Sequence, residues 1–146
     1  MDPHGQARGI LRRINNKLVY GTAALVRDDP SIFTFSIHGA NNFPLHKDAG
    51  DLDIELDDGT GDEVYLESLE NGLKKSLQNF RADLAIYLSG ADPYKDDRFG
   101  RLALSITGLA RRDHLVLNYL HLAGLPWSPE IVRRARYSTG ATIAAF

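Results

Sequence analysis

The chain has 146 residues, of which 43% are hydrophobic and 25% charged, with a formal net charge of -2. That profile describes one ordinary globular domain with room for a core, and its weak charge gives no reason to expect a nucleic-acid or membrane-surface partner. It contains no cysteine, which excludes disulfides, thiolate metal sites and a cysteine nucleophile. No apolar run approaches membrane-spanning length and no signal-peptide pattern opens the sequence, so the expected setting is cytoplasmic.

Residues 1–17 hold Gly5, Gly9 and a basic cluster of Arg8, Arg12, Arg13 and Lys17 without a clean period, which predicts a flexible or weakly helical lead-in. Residues 20–27 suit a short helix that Asp28-Asp29-Pro30 ends, since proline disfavours helical geometry in the residue before it. Ser31 through His38 is rich in β-branched and aromatic residues and predicts a strand closed by Gly39. A loop follows over residues 41–51, then a short, partly acidic strand over 53–56 and a turn at Asp58-Gly59.

The clearest helix is predicted over residues 62–80, where Leu66, Leu69, Leu73, Leu77 and Phe80 form one apolar stripe. Thr60 or Asp62 is expected to cap it, and Glu70 with Lys74 to pair across one turn. Residues 83–88 end in the apolar run Leu-Ala-Ile-Tyr-Leu, which predicts a strand buried on both faces. The chain then breaks at Ser89-Gly90 and delivers Asp92. In parallel α/β sheets ligands gather beyond the carboxyl ends of strands, so Asp92 is the strongest single candidate for chemistry.

A second helix is predicted from a Thr107 cap to about Ala123, with Leu109, Val116, Leu120 and Ala123 buried and Gly124 as its stop. Strand and helix in alternation point to an α/β class with a parallel sheet. Ser128-Pro129-Glu130 reads as a further helix start, followed by Arg133, Arg134 and Arg136, while residues 138–146 are small and featureless. His38 reads as a hydrogen-bonded scaffold residue, and His46, His114 and His121 as loop and surface residues.

Three ordered motifs carry a resemblance. The first is Phe33-Thr34-Phe35-Ser36-Ile37-His38 with Asn42-Phe43-Pro44 and Lys47. The second is Asp51-Leu52-Asp53-Ile54, Gly59-Thr60-Gly61-Asp62 and Tyr65-Leu66. The third is Gly90-Ala91-Asp92-Pro93, Asp97-Arg98-Phe99-Gly100-Arg101-Leu102, Leu104-Ser105, Gly108-Leu109 and Arg112-Asp113. In this order and spacing they resemble the histone deacetylase superfamily, most closely its class IV and bacterial acetoin-utilisation-type branch. The resemblance divides the chain into a poorly matched lead-in over 1–20, a partial deacetylase-like domain over 21–126 and a divergent basic tail over 127–146.

The resemblance implies a partial arginase/deacetylase-like three-layer fold and hydrolysis of acetyl-lysine or a related acetylated amine. It makes Asp92 a zinc ligand, Ser36 and Ile37 oxygen donors to a monovalent cation such as potassium, and Phe43 a wall of the substrate channel. It also shows departures. The places of the family's other two zinc ligands hold Asn15 and Lys17, and a lysine ammonium has no lone pair to give. The paired catalytic histidines and the tyrosine that polarises the substrate carbonyl have no match. The expectation is therefore a truncated, catalytically incomplete family member, or else an interaction or regulatory module on the same scaffold.

Overall fold

A computed structural model describes residues 12–14, 17–19, 22–126 and 141–145, with side chains placed over 22–126. The first described elements are two short strands, β1 (Arg12–Ile14) antiparallel to β2 (Lys17–Val19), with Arg12 opposite Val19. The lead-in is thus not weakly helical where it is described. The helix expected next is α1 (Thr22–Val26), with Ala24 buried.

The main sheet has four strands in the order β4-β3-β6-β5, namely β3 (Phe33–Gly39), β4 (Leu52–Leu56), β5 (Ala85–Leu88) and β6 (Ala141–Ala145). β3 and β4 pair in parallel, with Phe35 opposite Leu52 and Ile37 opposite Ile54. β6 is antiparallel to both β3 and β5, so β3, β4 and β5 all run the same way. The architecture is α/β, as the alternation of elements predicts. The featureless reading of 138–146 is overturned: residues 141–145 form a central strand, held in place by neighbours on both sides rather than by their own pattern.

Two helices cover one face, α2 (Asp62–Asn79) and α3 (Ile106–Leu122). The alternation of side chains along β3 turns Phe35 and Ile37 toward them, where they meet Tyr65, Leu69 and Leu73 of α2 and Val116 and Leu120 of α3. Gly72 lies where α2 crosses the sheet, and a Cβ there would come within 2.3 Å of the Phe35 ring. Burying this many large side chains at roughly 1.5–3 kcal/mol each supplies the main drive to fold.

Local expectations fail in instructive places. β5 is not buried on both faces: Ala85 and Tyr87 point into the core, whereas Ile86 and Leu88 are half-buried and Leu84 lies exposed before the strand. The cap of α2 is Gly61 without a side-chain bond. Thr60 bonds instead to the Asp57 carbonyl, and Asp62 reaches across to the start of α3. α3 is capped by Ser105, whose hydroxyl accepts from the Gly108 amide at 2.9 Å, and not by Thr107. Its buried face holds Gly108, Arg112, Val116 and Leu120, while Ala123 is exposed. Gly124, at φ 70°, ends it as expected. The helix start expected at Ser128 lies outside the described residues.

Candidate functional site

The site is built at the carboxyl edge of the sheet, where β5 ends at Leu88 and β3 runs three residues past that level, to Gly39. Ser36 and Leu88 face the same residue of the strand between them, Thr142. Beyond those ends lie the loop after β3, carrying Phe43, and the loop after β5, carrying Asp92. The two loops are packed together. The Phe43 amide donates to the Phe99 carbonyl at 3.3 Å, and a Cβ on Gly39 would lie 2.8 Å from the Gly100 carbonyl oxygen.

The Asp92 loop is closed on itself. Tyr94 bridges to Leu104, Leu104 N–H donates to the Pro93 carbonyl at 3.0 Å, and Lys95 N–H donates to the Leu104 carbonyl at 3.0 Å. One Asp97 carboxylate oxygen accepts from the amides of Phe99 and Gly100, both at 2.8 Å, and so fixes the turn. Gly100 is then pressed against Asp92: a Cβ there would stand 1.7 Å from the Asp92 carbonyl oxygen. Only glycine fits this approach. Arg101 follows with φ 58°, a left-handed conformation uncommon for a side-chain-bearing residue, and its guanidinium meets Asp58 at 2.7 Å.

Beneath the loop sits a polar network that the pattern of the sequence does not announce. Arg112 of α3 is 3% exposed. Its guanidinium donates to the Gly90 carbonyl at 2.7 Å, to the Ser89 hydroxyl at 2.6 Å and to the Asp113 carboxylate at 2.9 Å. Asp113 also accepts from the hydroxyls of Tyr87 at 2.6 Å and Ser89 at 3.0 Å. Burial pushes the Tyr87 phenol up, and it stays a neutral donor. Burial likewise pushes up Tyr65, whose hydroxyl lies within the protein without a hydrogen-bond partner in good geometry among the described residues. Burial opposes the charge on Arg112, but Tyr87, Tyr65 and Asp113 around it hold the guanidinium above its ordinary range. The network ties the end of β5, at Ser89 and Gly90, to α3 just before Asp92.

On the opposite face of the sheet, Ser36 Oγ lies 3.0 Å from His38 Nδ1. His38 Nε2 is buried without a hydrogen bond among the described residues and sits 3.8 Å from Glu55 Oε1. Burial and the nearby Lys47 lower the imidazole below its usual range, against the pull of Asp53 and Glu55. His38 is thus a scaffold residue bonded to Ser36. Lys47 turns back on its own loop, donating to the carbonyls of Ala40 at 3.0 Å and Asn42 at 3.3 Å.

The sequence candidates lie on β3 and on the loops that follow β3 and β5. Ser36 and Ile37 lie in the middle of β3, with Ile37 buried in the core. Phe43, 71% exposed, stands beside Phe99, 70% exposed. Asp92 is half-buried in the loop after β5.

The profile of the histone deacetylase domain matches residues 20–127. The chain belongs to the histone deacetylase family. It is 44% identical over 106 residues to an uncharacterised protein of Picosynechococcus sp., covering 73% of this chain and 35% of that one. It is 28% identical over 102 residues to histone deacetylase 2 of Arabidopsis thaliana, covering 68% of this chain and 26% of that one. The chain thus spans about a third and a quarter of the lengths of these two relatives.

Family members are generally zinc-dependent, and a catalytic zinc takes three protein ligands and keeps a fourth position open. Among the described residues no group of three or more His, Asp or Glu side chains is placed to hold a metal ion. The donor set described here does not fit such a site. The network around Arg112 is the part that sequence reasoning passed over: Arg112-Asp113 was visible as a motif, but adjacent Arg111 and Arg112 look alike in sequence. Arg111 is the exposed one, paired with Glu63.

Proposed function

We propose that the chain presents one corner of a zinc-dependent deacetylase site on the deacetylase scaffold and is catalytically incomplete as it stands. The ancestral reaction in this reading is hydrolysis of acetyl-lysine or a related acetylated amine. Asp92 is the zinc-ligating residue of that corner, Ser36 and Ile37 its donors to a monovalent cation such as potassium, and Phe43 its channel wall. The reading includes the class IV or bacterial acetoin-utilisation-type branch and a cytoplasmic setting. No described helix is long and apolar enough to cross a membrane.

One observation supports it above the rest. The loops after β3 and β5, which carry Phe43 and Asp92, are joined by the bond from the Phe43 amide to the Phe99 carbonyl, and Asp92 is braced by Gly100 from behind and through Ser89 and Gly90 by Arg112. Incompleteness rests on the donor set. One carboxylate cannot both hold a metal firmly and leave a preorganised site, and among the described residues no group of three or more His, Asp or Glu side chains could hold a metal ion. An acyl-transfer site also needs a group to carry the proton and a donor for the developing oxyanion. His38, the histidine at this end of β3, is turned to Ser36.

A second reading, a binding module on the same scaffold, is favoured by the exposed apolar side chains of Phe43, Leu45 and Phe99 and by the exposed acidic residues of β4, Asp53 and Glu55. An acetyl-lysine peptide assay separates the readings. With zinc supplied, the wild-type chain and Asp92→Asn are expected to give the same background rate. Turnover by the wild type that Asp92→Asn abolishes would overturn incompleteness. Peptide binding without turnover, lost on Phe43→Ala, would move the assignment to the binding module.

A further inference from the structure

The strand that holds the site's two halves at their spacing comes from outside the family region. The match ends at residue 127, and β6 is Ala141–Ala145. β3 and β5, both inside the match, are joined in the sheet only through β6. β6 pairs with β3 from Phe33↔Ala145 to Ile37↔Ala141 and with β5 from Ala85↔Ala145 to Leu88↔Thr142. With strands about 4.8 Å apart, the gap it fills is about 10 Å wide, one strand and no more.

Its direction is also at odds with its surroundings. β6 runs against three strands that share one direction. Its sequence, Ala-Thr-Ile-Ala-Ala, carries no charge to forbid pairing and no clear alternation to demand it. A strand of this kind is specified by the slot, through two ladders of backbone hydrogen bonds, more than by itself.

We infer that the cleft between β3 and β5 is a strand-acceptor site, filled in cis by residues 141–145 and able to take the same segment in trans. The slot recognises an extended, uncharged peptide of small and β-branched residues that runs antiparallel to β3. Vacating it leaves two unpaired edges inside the sheet, each a template for another chain. It also removes the only strand that sets Ser36 level with Leu88, so the slot governs the separation of the two loops of the site. The inference rests on the sheet alone and stands whether or not the chain binds zinc.

The test uses the full chain. Ile143→Pro deletes a ladder N–H in mid-strand and should empty the slot. A fluorescent peptide of residues 139–146 is titrated into wild type and variant. Binding at least tenfold tighter to the variant is expected, because in the wild type the peptide must displace its own copy. Equal affinity for the two proteins, or no binding to the variant, overturns the inference. If Ile143→Pro alone is unfolded, the peptide should restore its native far-ultraviolet spectrum, and failure to do so also overturns it. Amide exchange on the wild type gives an independent reading. The 141–145 amides that face β3 and β5 should be protected alongside those of β3, and rapid exchange there would contradict the slot.

Discussion

Arg112→Met isolates the charge that anchors the Asp92 loop, because methionine keeps much of the apolar stem while removing every donor. The Gly90 carbonyl then loses its 2.7 Å partner in a buried setting, and the Ser89 hydroxyl its 2.6 Å one. An orphaned buried acceptor costs about 1–3 kcal/mol. Asp113 loses its cation but keeps the Tyr87 and Ser89 hydroxyls. Breaking one side of a buried ion pair costs about 3–5 kcal/mol. The Asp113 side chain is 35% exposed, so water recovers part of the loss and the lower end, about 3 kcal/mol, is expected. For a chain of this size that lowers Tm by roughly 10 °C, followed by circular dichroism. A double-mutant cycle with Asp113→Asn, which retains an acceptor for Tyr87, should show coupling of about 1 kcal/mol or more. An Arg112→Met chain that melts within about 2 °C of the wild type, or a cycle that is purely additive, refutes the anchoring role.

Gly100→Ala sets a methyl group against the Asp92 carbonyl, 1.7 Å away before relaxation, so the loop must shift. A loss of about 1–3 kcal/mol is expected, with backbone amide shifts in NMR spectra concentrated at residues 91–100; unchanged shifts there would refute the close approach. Asp62→Asn removes the carboxylate that receives both the Ser105 hydroxyl at 2.6 Å and its amide at 2.8 Å. Those bonds, the hydroxyl's foremost, hold the Asp62 carboxyl below its ordinary value, so its contribution is present above the unfolded-state pKa and is lost as pH falls through the folded one. The variant should therefore be less stable than wild type at pH 7, by about 1 kcal/mol. In urea melts the gap should close as pH drops below about 4; a gap independent of pH contradicts the assignment.

The helices and β3 were legible because burial imposes a period. Leu66, Leu69 and Leu73 recur as one face of α2 must, and the β-branched and aromatic run of β3 has few other uses. The place of Asp92 in the chain, just past the end of β5, was legible from the apolar run before it. What stayed hidden depends on partners distant in sequence. β6 has no pattern of its own and is made a strand by its two neighbours. Ser105 caps α3 while Thr107 does not, a choice that turns on where Asp62 arrives from the other helix. Arg112 is hidden for the same reason: a buried guanidinium is set by the Gly90 carbonyl and Asp113, and charged residues are by default read as surface.

The central claim proposed above is that this edge of the sheet is one corner of a deacetylase site and that the chain does not hold a catalytic zinc, and metal content tests it most directly. The chain is expressed with zinc in the medium, purified, dialysed against a weak chelator and measured by inductively coupled plasma mass spectrometry. Zinc far below one atom per chain, the same in the wild type and Asp92→Asn, is the predicted result. One tightly held zinc per wild-type chain, lost in Asp92→Asn, would contradict the account.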